Sequence, residues 1–149
     1  PMSGFSPGAW EQPLLDVGGR RAVMAICYEV VYPELVREQA AAADVLMTVS
    51  NDTWFGRSIG PLQHLEMAQM RALENGRWML RGTNNGVTAI VDHQGRIRAR
   101  LPQFEAGVLR GEWTTMAGTT PYARWGYLPV GVSLLLLGLL ALGSRRPGA

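Results

Sequence analysis

Apolar and polar positions along this chain fall into blocks that switch between strand and helix periods. Residues 20–26 carry the continuous apolar run Ala22-Val23-Met24-Ala25-Ile26 after a Gly18-Gly19 turn, the pattern of a buried strand. Pro33 opens a helix predicted over 34–43, with Glu34 in its first turn, where free backbone N–H groups favour an acid. A second apolar strand is predicted at 45–50. Residues 51–60 are a polar, glycine-flanked loop with two aromatics. Pro61 opens a second helix to about Asn75, with Leu62, Leu65, Ala68 and Leu73 on roughly one face. Trp78-Met79-Leu80-Arg81 and the turn Asn84-Asn85-Gly86 lead to a strand at 87–91. Asp92-His93-Gln94-Gly95 reads as a hairpin turn, 96–101 as the return strand and 107–113 as a last strand. This order predicts an α/β layered sheet.

The pattern changes character at the end of the chain. From Trp125 to Gly143 there is no charged residue, and the stretch is dominated by leucine. As a helix it spans ~28 Å at about 1.5 Å per residue, close to the ~30 Å of a bilayer core. Trp125 and Tyr127 sit at one end, where amphipathic rings favour the headgroup level, and Arg145-Arg146 follow the other. The basic end is expected on the cytoplasmic side, which puts the preceding residues on the outer face. The organisation expected is a domain over residues 1–113, a linker over 114–124, a transmembrane helix over 125–143 and a cytoplasmic tail over 144–149. The start, Pro1-Met2-Ser3, is expected to be an internal position of something longer.

Composition narrows the function. Charged residues make up 17% of the 149, which excludes a disordered, charge-driven protein. The net charge of +2 is too small to argue for nucleic acid. All the basic residues are Arg, so no lysine chemistry can be completed within these residues. A single cysteine, Cys27, excludes an intrachain disulfide and a cysteine-rich zinc site. His64 and His93 show no ligand spacing, and neither a metal nor a cofactor is expected.

Cys27 is the first candidate for chemistry. It ends an apolar strand and precedes a helix, a position at the carboxyl edge of a sheet, where open α/β folds put their sites. Its thiolate would be a nucleophile able to form a thioester, and the N–H of Tyr28 could face a developing oxyanion. A lone cysteine is as readily a small buried apolar residue. Glu29 could orient a neighbour, move a proton or pair with an Arg. A carboxylate this close disfavours the thiolate, so a positive partner is needed from elsewhere. The loop Asn51-Asp52-Thr53-Trp54-Phe55-Gly56 should share the sheet edge with Cys27. Trp54 and Phe55 could line an apolar groove there or simply close the local core.

Ala25-Ile26-Cys27-Tyr28-Glu29 followed by Ser50-Asn51-Asp52-Thr53-Trp54-Phe55-Gly56 resembles the carbon–nitrogen hydrolase (nitrilase) superfamily. Within it, the chain is similar to the C-terminal part of the bacterial apolipoprotein N-acyltransferase family. Ser58-Ile59-Gly60-Pro61 with Gln63-His64, Met70-Arg71-Ala72-Leu73-Glu74, Thr83-Asn84-Asn85-Gly86, Thr120-Pro121-Tyr122-Ala123-Arg124 and the final apolar stretch agree. The resemblance implies part of an αββα sandwich, followed by the membrane helix, on the periplasmic side of a bacterial inner membrane. It implies an acyl chain taken from a phospholipid, held as a thioester on Cys27 and passed to the α-amine of a diacylglyceryl-cysteine apolipoprotein. It matches Tyr28 and Glu29 to residues needed beside the nucleophile and Trp54 to the aromatic of a loop near the lipid entrance. The roles expected are an oxyanion contact from the Tyr28 backbone, support from Glu29, and substrate binding by Trp54 and Phe55. The family's general-base Glu and oxyanion Lys have no match here, so this piece is expected to be inactive alone. A monomer is expected. The alternatives are a membrane-tethered amidase that discharges the same intermediate to water, and a non-catalytic membrane-anchored binding module.

Overall fold

The computed structural model describes residue 6 and residues 8–144. Pro1-Met2-Ser3 and Arg145-Arg146, with nearly all of the tail expected over 144–149, lie outside the described residues. Six strands form one mixed sheet in sequence order: β1 (Leu15–Asp16), β2 (Arg21–Ile26), β3 (Val45–Asn51), β4 (Met79–Asn84), β5 (Ala89–Val91) and β6 (Ile97–Arg100). β2, β3 and β4 are parallel, and β1, β5 and β6 add antiparallel edges. The parallel strands are joined through α1 (Pro33–Ala40) and α2 (Gly60–Asn75). Two crossovers that step the same way along a sheet, each right-handed, put both helices on the same face.

That face holds the core. Register aligns Val23, Leu46 and Met79 across β2, β3 and β4, and Val91 lies opposite Met79 on β5. Val36 and Ala40 of α1 and Leu65, Ala68 and Ala72 of α2 pack on them in one buried cluster. The alanines let helix and strand backbones approach closely, and the β-branched residues fill the pleat. α2 ends at Gly76, whose φ of 61° suits a left-handed cap.

The pattern missed β1 and β4 and misread 107–113. The latter residues join no strand. They cross the sheet face turned away from the helices, where Gly111 comes so close to Ile90 that a Cβ would lie 2.6 Å from its Cδ1. Glycine at this crossing serves contact with the sheet rather than edge pairing. The rest of that face is thinly covered: Ile26 and Val49 stay exposed. The described residues therefore contain one α layer and one β layer of the expected αββα arrangement.

The expected membrane span over 125–143 also needs correction. Trp125 closes a short helix, α3 (Pro121–Trp125), and Gly126, at φ 52°, breaks the chain direction. The apolar helix α4 (Leu128–Ser144) begins only afterwards and has 17 residues, about 25 Å at 1.5 Å each. Among the described residues, no helix is long and apolar enough to cross a membrane. Before α4, residues 118–124 are held against the domain. Arg77 donates to the Gly118 carbonyl (3.0 Å) and Arg37 to the Ala123 carbonyl (3.2 Å), while Thr120 bonds the Glu74 carbonyl and caps α3.

Candidate functional site

β2 runs out at Ile26 and the chain tightens into a 3-10 helix, Cys27–Val31. Cys27 stands at the turn with φ 54°, in the left-handed region that a residue with a Cβ avoids. Such strain persists only where neighbours hold it. Two do. The Glu29 carboxylate accepts the Ile26 N–H (2.7 Å), bracing the turn from one side. His64 of α2 meets the Cys27 carbonyl through Nε2 (3.2 Å). A carbonyl only accepts, so Nε2 carries the proton.

β3 ends beside it in the same direction, as register pairing of Ile26 with Val49 requires. Ser50 brings its Oγ to 3.3 Å from the Cys27 Sγ and 2.6 Å from Asp52 Oδ1. Asp52 opens the 3-10 helix Asp52–Phe55 and is fully buried. Arg81 of β4 donates from Nη2 to its Oδ2 (2.7 Å), and His64 Nδ1 lies 3.0 Å from Oδ1. Arg81 lies in register with Thr48 and Ala25 on the helix-covered face, which explains its burial. Burial pulls the Arg81 pKa below its ordinary value, opposed by the Asp52 charge, which favours the protonated form. Its Nε and Nη1 have no partner among the described residues. A buried pair of this kind is costly to desolvate and is weak evidence for stability. Here it joins three elements behind one sulfur. Gly86 completes the enclosure: a Cβ there would collide with the Asp52 carboxylate.

The aromatics of the loop separate. Phe55 turns its ring edge-on toward His64, with centroids 6.2 Å apart, and so packs against the buried hub. Trp54 points away, with 88% of its surface exposed. Tyr28 lies half-exposed beside the Cys27 turn, its ring 6.2 Å from His64 and edge-on to Tyr32. Two strands from Cys27, on the same sheet edge, Thr83, Asn84, Gly86 and Glu105 line a cavity of about 450 Å³.

Cys27, Tyr28, Glu29 and Phe55 therefore meet at one edge, and Trp54 stands beyond them in solvent. Ser50, Asp52, His64 and Arg81 were not singled out for chemistry by sequence reasoning. A signal existed for two kinds of them. Asp52 follows β3 as Cys27 follows β2, with Ser50 near the end of that strand before it, and Arg81 is a lone charge ending an apolar run. Nothing in the spacing pointed to His64, which arrives from α2.

Comparison with known proteins gives the family. The carbon-nitrogen hydrolase family model matches residues 4–122. An apolipoprotein N-acyltransferase of Azotobacter vinelandii is 60% identical over 100% of this chain and 29% of its own length. One of Pseudomonas putida is 57% identical over 97% of this chain and again 29% of its own. The chain thus spans less than a third of the length of these curated relatives. Among solved structures, a carbon-nitrogen hydrolase from Helicobacter pylori matches 68% of this chain and 43% of its own, with a TM-score of 0.61 at 17% identity, a likeness of fold. A strained cysteine at the carboxyl edge of this sheet, in a chain matched by that family model over most of its length, leads to one assignment: the chain belongs to the carbon–nitrogen hydrolase family.

Proposed function

We propose that these residues are the nucleophile-bearing part of an N-acyltransferase that forms a thioester on Cys27. The observation that carries the reading is the Cys27 turn itself, in a chain 60% identical to a protein named apolipoprotein N-acyltransferase. The Cys27 thiolate attacks the ester carbonyl of a phospholipid. The carbon–oxygen bond breaks and the lysophospholipid leaves as an alcohol, its proton supplied by the general acid that had taken the thiol proton. The neutral α-amine of a diacylglyceryl-cysteine apolipoprotein then attacks the thioester, yielding an amide and restoring the thiol. This two-step logic needs no redox change.

In this proposal the Tyr28 N–H faces the oxyanion, Glu29 braces the turn, and Phe55 and Trp54 line the path of the acyl chain. The general-base Glu and the oxyanion Lys of the family belong to residues outside this chain, which has no lysine. The 149-residue piece alone is therefore expected to form no acyl adduct. The leucines of α4 are exposed from Leu134 to Leu142. Leucines left in water are unfavourable at about 25 cal/mol per Å², which supports an acyl-chain environment for α4 at the inner membrane, next to the lipid substrate.

The test uses the full-length enzyme with phospholipid vesicles and mass spectrometry of the Cys27 peptide. A hydroxylamine-labile acyl adduct, lost in Cys27→Ala and discharged by a diacylglyceryl-peptide amine, is expected. Discharge only by water would support the amidase alternative. No adduct on wild-type Cys27 would remove the nucleophile assignment.

A further inference from the structure

Ser50 carries one hydroxyl proton and touches two acceptors. Its Oγ is 2.6 Å from Asp52 Oδ1 and 3.3 Å from Cys27 Sγ. A single proton cannot serve both. The 2.6 Å contact lies in the range of a charge-assisted O–H···O⁻ bond, so the proton sits toward Asp52. The Ser50 lone pairs are then turned to the sulfur, and the thiol S–H donates to Ser50 Oγ. This arrangement matches a protonated Cys27.

Ionisation of the thiol reverses the need. A thiolate has no proton to give and accepts strongly. Ser50 can answer only if Asp52 can release its hydroxyl. Asp52 is built for that: the Arg81 guanidinium remains on its Oδ2 at 2.7 Å, a buried ion pair that does not depend on Ser50. The carboxylate is not stranded in the core when Ser50 rotates away, and the usual penalty for an unpartnered buried charge is avoided. The other ionisable groups near the pair are Glu29, committed to the Ile26 N–H, and Tyr28, half-exposed beside the turn. Neither stands between Ser50 and the sulfur.

We propose that Ser50 is a catalytic residue that exchanges its hydroxyl proton from Asp52 to Cys27 Sγ as the thiolate forms, with Asp52 as the positioning residue behind it. The exchange needs no chemistry of its own. No covalent bond is made at Ser50; one hydrogen bond is traded for another, and the thiol proton leaves to the general base outside this chain. The proposal rests on Cys27 being the nucleophile, but its first readout does not depend on acyl transfer.

The experiment uses the full-length enzyme as wild type, Ser50→Ala and Ser50→Thr. Iodoacetamide alkylation of Cys27 is followed across pH by mass spectrometry of its peptide. Formation of the hydroxylamine-labile adduct from phosphatidylethanolamine vesicles is followed in parallel. Loss of a hydrogen bond to a charged sulfur raises the midpoint of alkylation by about one pH unit in Ser50→Ala. It also slows adduct formation about tenfold, one pH unit being a factor of ten in thiolate. Ser50→Thr keeps the hydroxyl and restores both. If Ser50→Ala does not fold, Ser50→Val against Ser50→Thr repeats the comparison at nearly equal volume. A midpoint within about 0.2 pH unit of wild type in the hydroxyl-less variant overturns the proposal. Absence of adduct in wild type, with an alkylation profile that still answers to Ser50, would instead overturn the acyl-enzyme reading and leave the Ser50 contact standing.

Discussion

Two regions of this molecule treat burial in opposite ways. Behind Cys27, the chain buries Asp52, His64 and Arg81 and leaves them to satisfy one another. In α4 it exposes a run of leucines that bond to no core. The first region spends desolvation on geometry, because a carboxylate fixed by Arg81 from β4 beside His64 from α2 can hold Ser50 and the Cys27 turn in place. The second spends exposed apolar area, which water disfavours and an acyl-chain environment does not. Each is a departure from the ordinary distribution of polar and apolar residues that core formation alone does not explain.

The contrast can be broken most severely at Asp52. Asp52→Ala leaves Arg81 charged and unpaired in the core and is expected to cost about 3–5 kcal/mol in denaturant unfolding. Leu137→Ala in α4 removes a side chain that touches no core and should change the same transition by less than about 0.5 kcal/mol. Equal losses at the two sites would dissolve the comparison.

A smaller effect is expected at Gly86. Gly86→Ala drives a methyl group into the Asp52 carboxylate, whose Cγ lies 2.9 Å from the added Cβ. Crowding of this kind costs about 1–3 kcal/mol. Because the displaced group is Asp52, alkylation of Cys27 should change in rate along with thermal stability. Gly82→Ala, with Val49 Cγ1 4.0 Å away as its nearest contact, is the control and should alter neither.

The smallest effect lies where the domain grips the segment before α4. Arg37 donates to Glu34 (2.8 Å) and Tyr122 donates to Glu34 as well (3.2 Å). The Arg37 bond, more than the Tyr122 bond, holds the Glu34 pKa below its ordinary value. A carboxylate depressed in the folded state contributes stability that is present above its unfolded pKa. That contribution is lost as pH falls through the folded value. Partial exposure keeps it small, under about 0.5 kcal/mol. Glu34→Gln should therefore lower the melting temperature slightly near neutral pH and match wild type in acid. An unchanged difference at low pH would show that the pair does not titrate with the fold.

Much of the layer order was legible along the chain. Residues 20–26 and 45–50 were readable as strands because each is a short apolar run bounded by a turn or a polar loop, and α1 and α2 announced themselves through Pro33 and Pro61. β4 was not, because Arg81 and Gly82 interrupt its pattern. The interruption has a structural reason: Arg81 breaks the apolar run and pairs with the buried Asp52. Residues 107–113 failed for the opposite reason. Their alternation suits a strand, yet no pairing partner is supplied, and the segment lies across the sheet face. Cys27 was legible by its place after β2, and Tyr28 and Glu29 by adjacency. Trp54 and Phe55 are neighbours in sequence with different surroundings, which no local pattern could separate.

The sequence by itself determined the alternation of strand and helix, the single sulfur available for nucleophilic chemistry, the absence of lysine and the apolar run near the end. These are properties of composition and period, and they survive in any conformation. Tertiary structure decided the rest. It set the start of the apolar helix by a break at Gly126, and it brought Ser50, Asp52, His64 and Arg81 to one sulfur from β3, the loop after it, α2 and β4. The reason is geometric. Parallel strands joined by right-handed crossovers bring their carboxyl ends to one edge, so residues tens of positions apart become neighbours through backbone pairing that no local window contains.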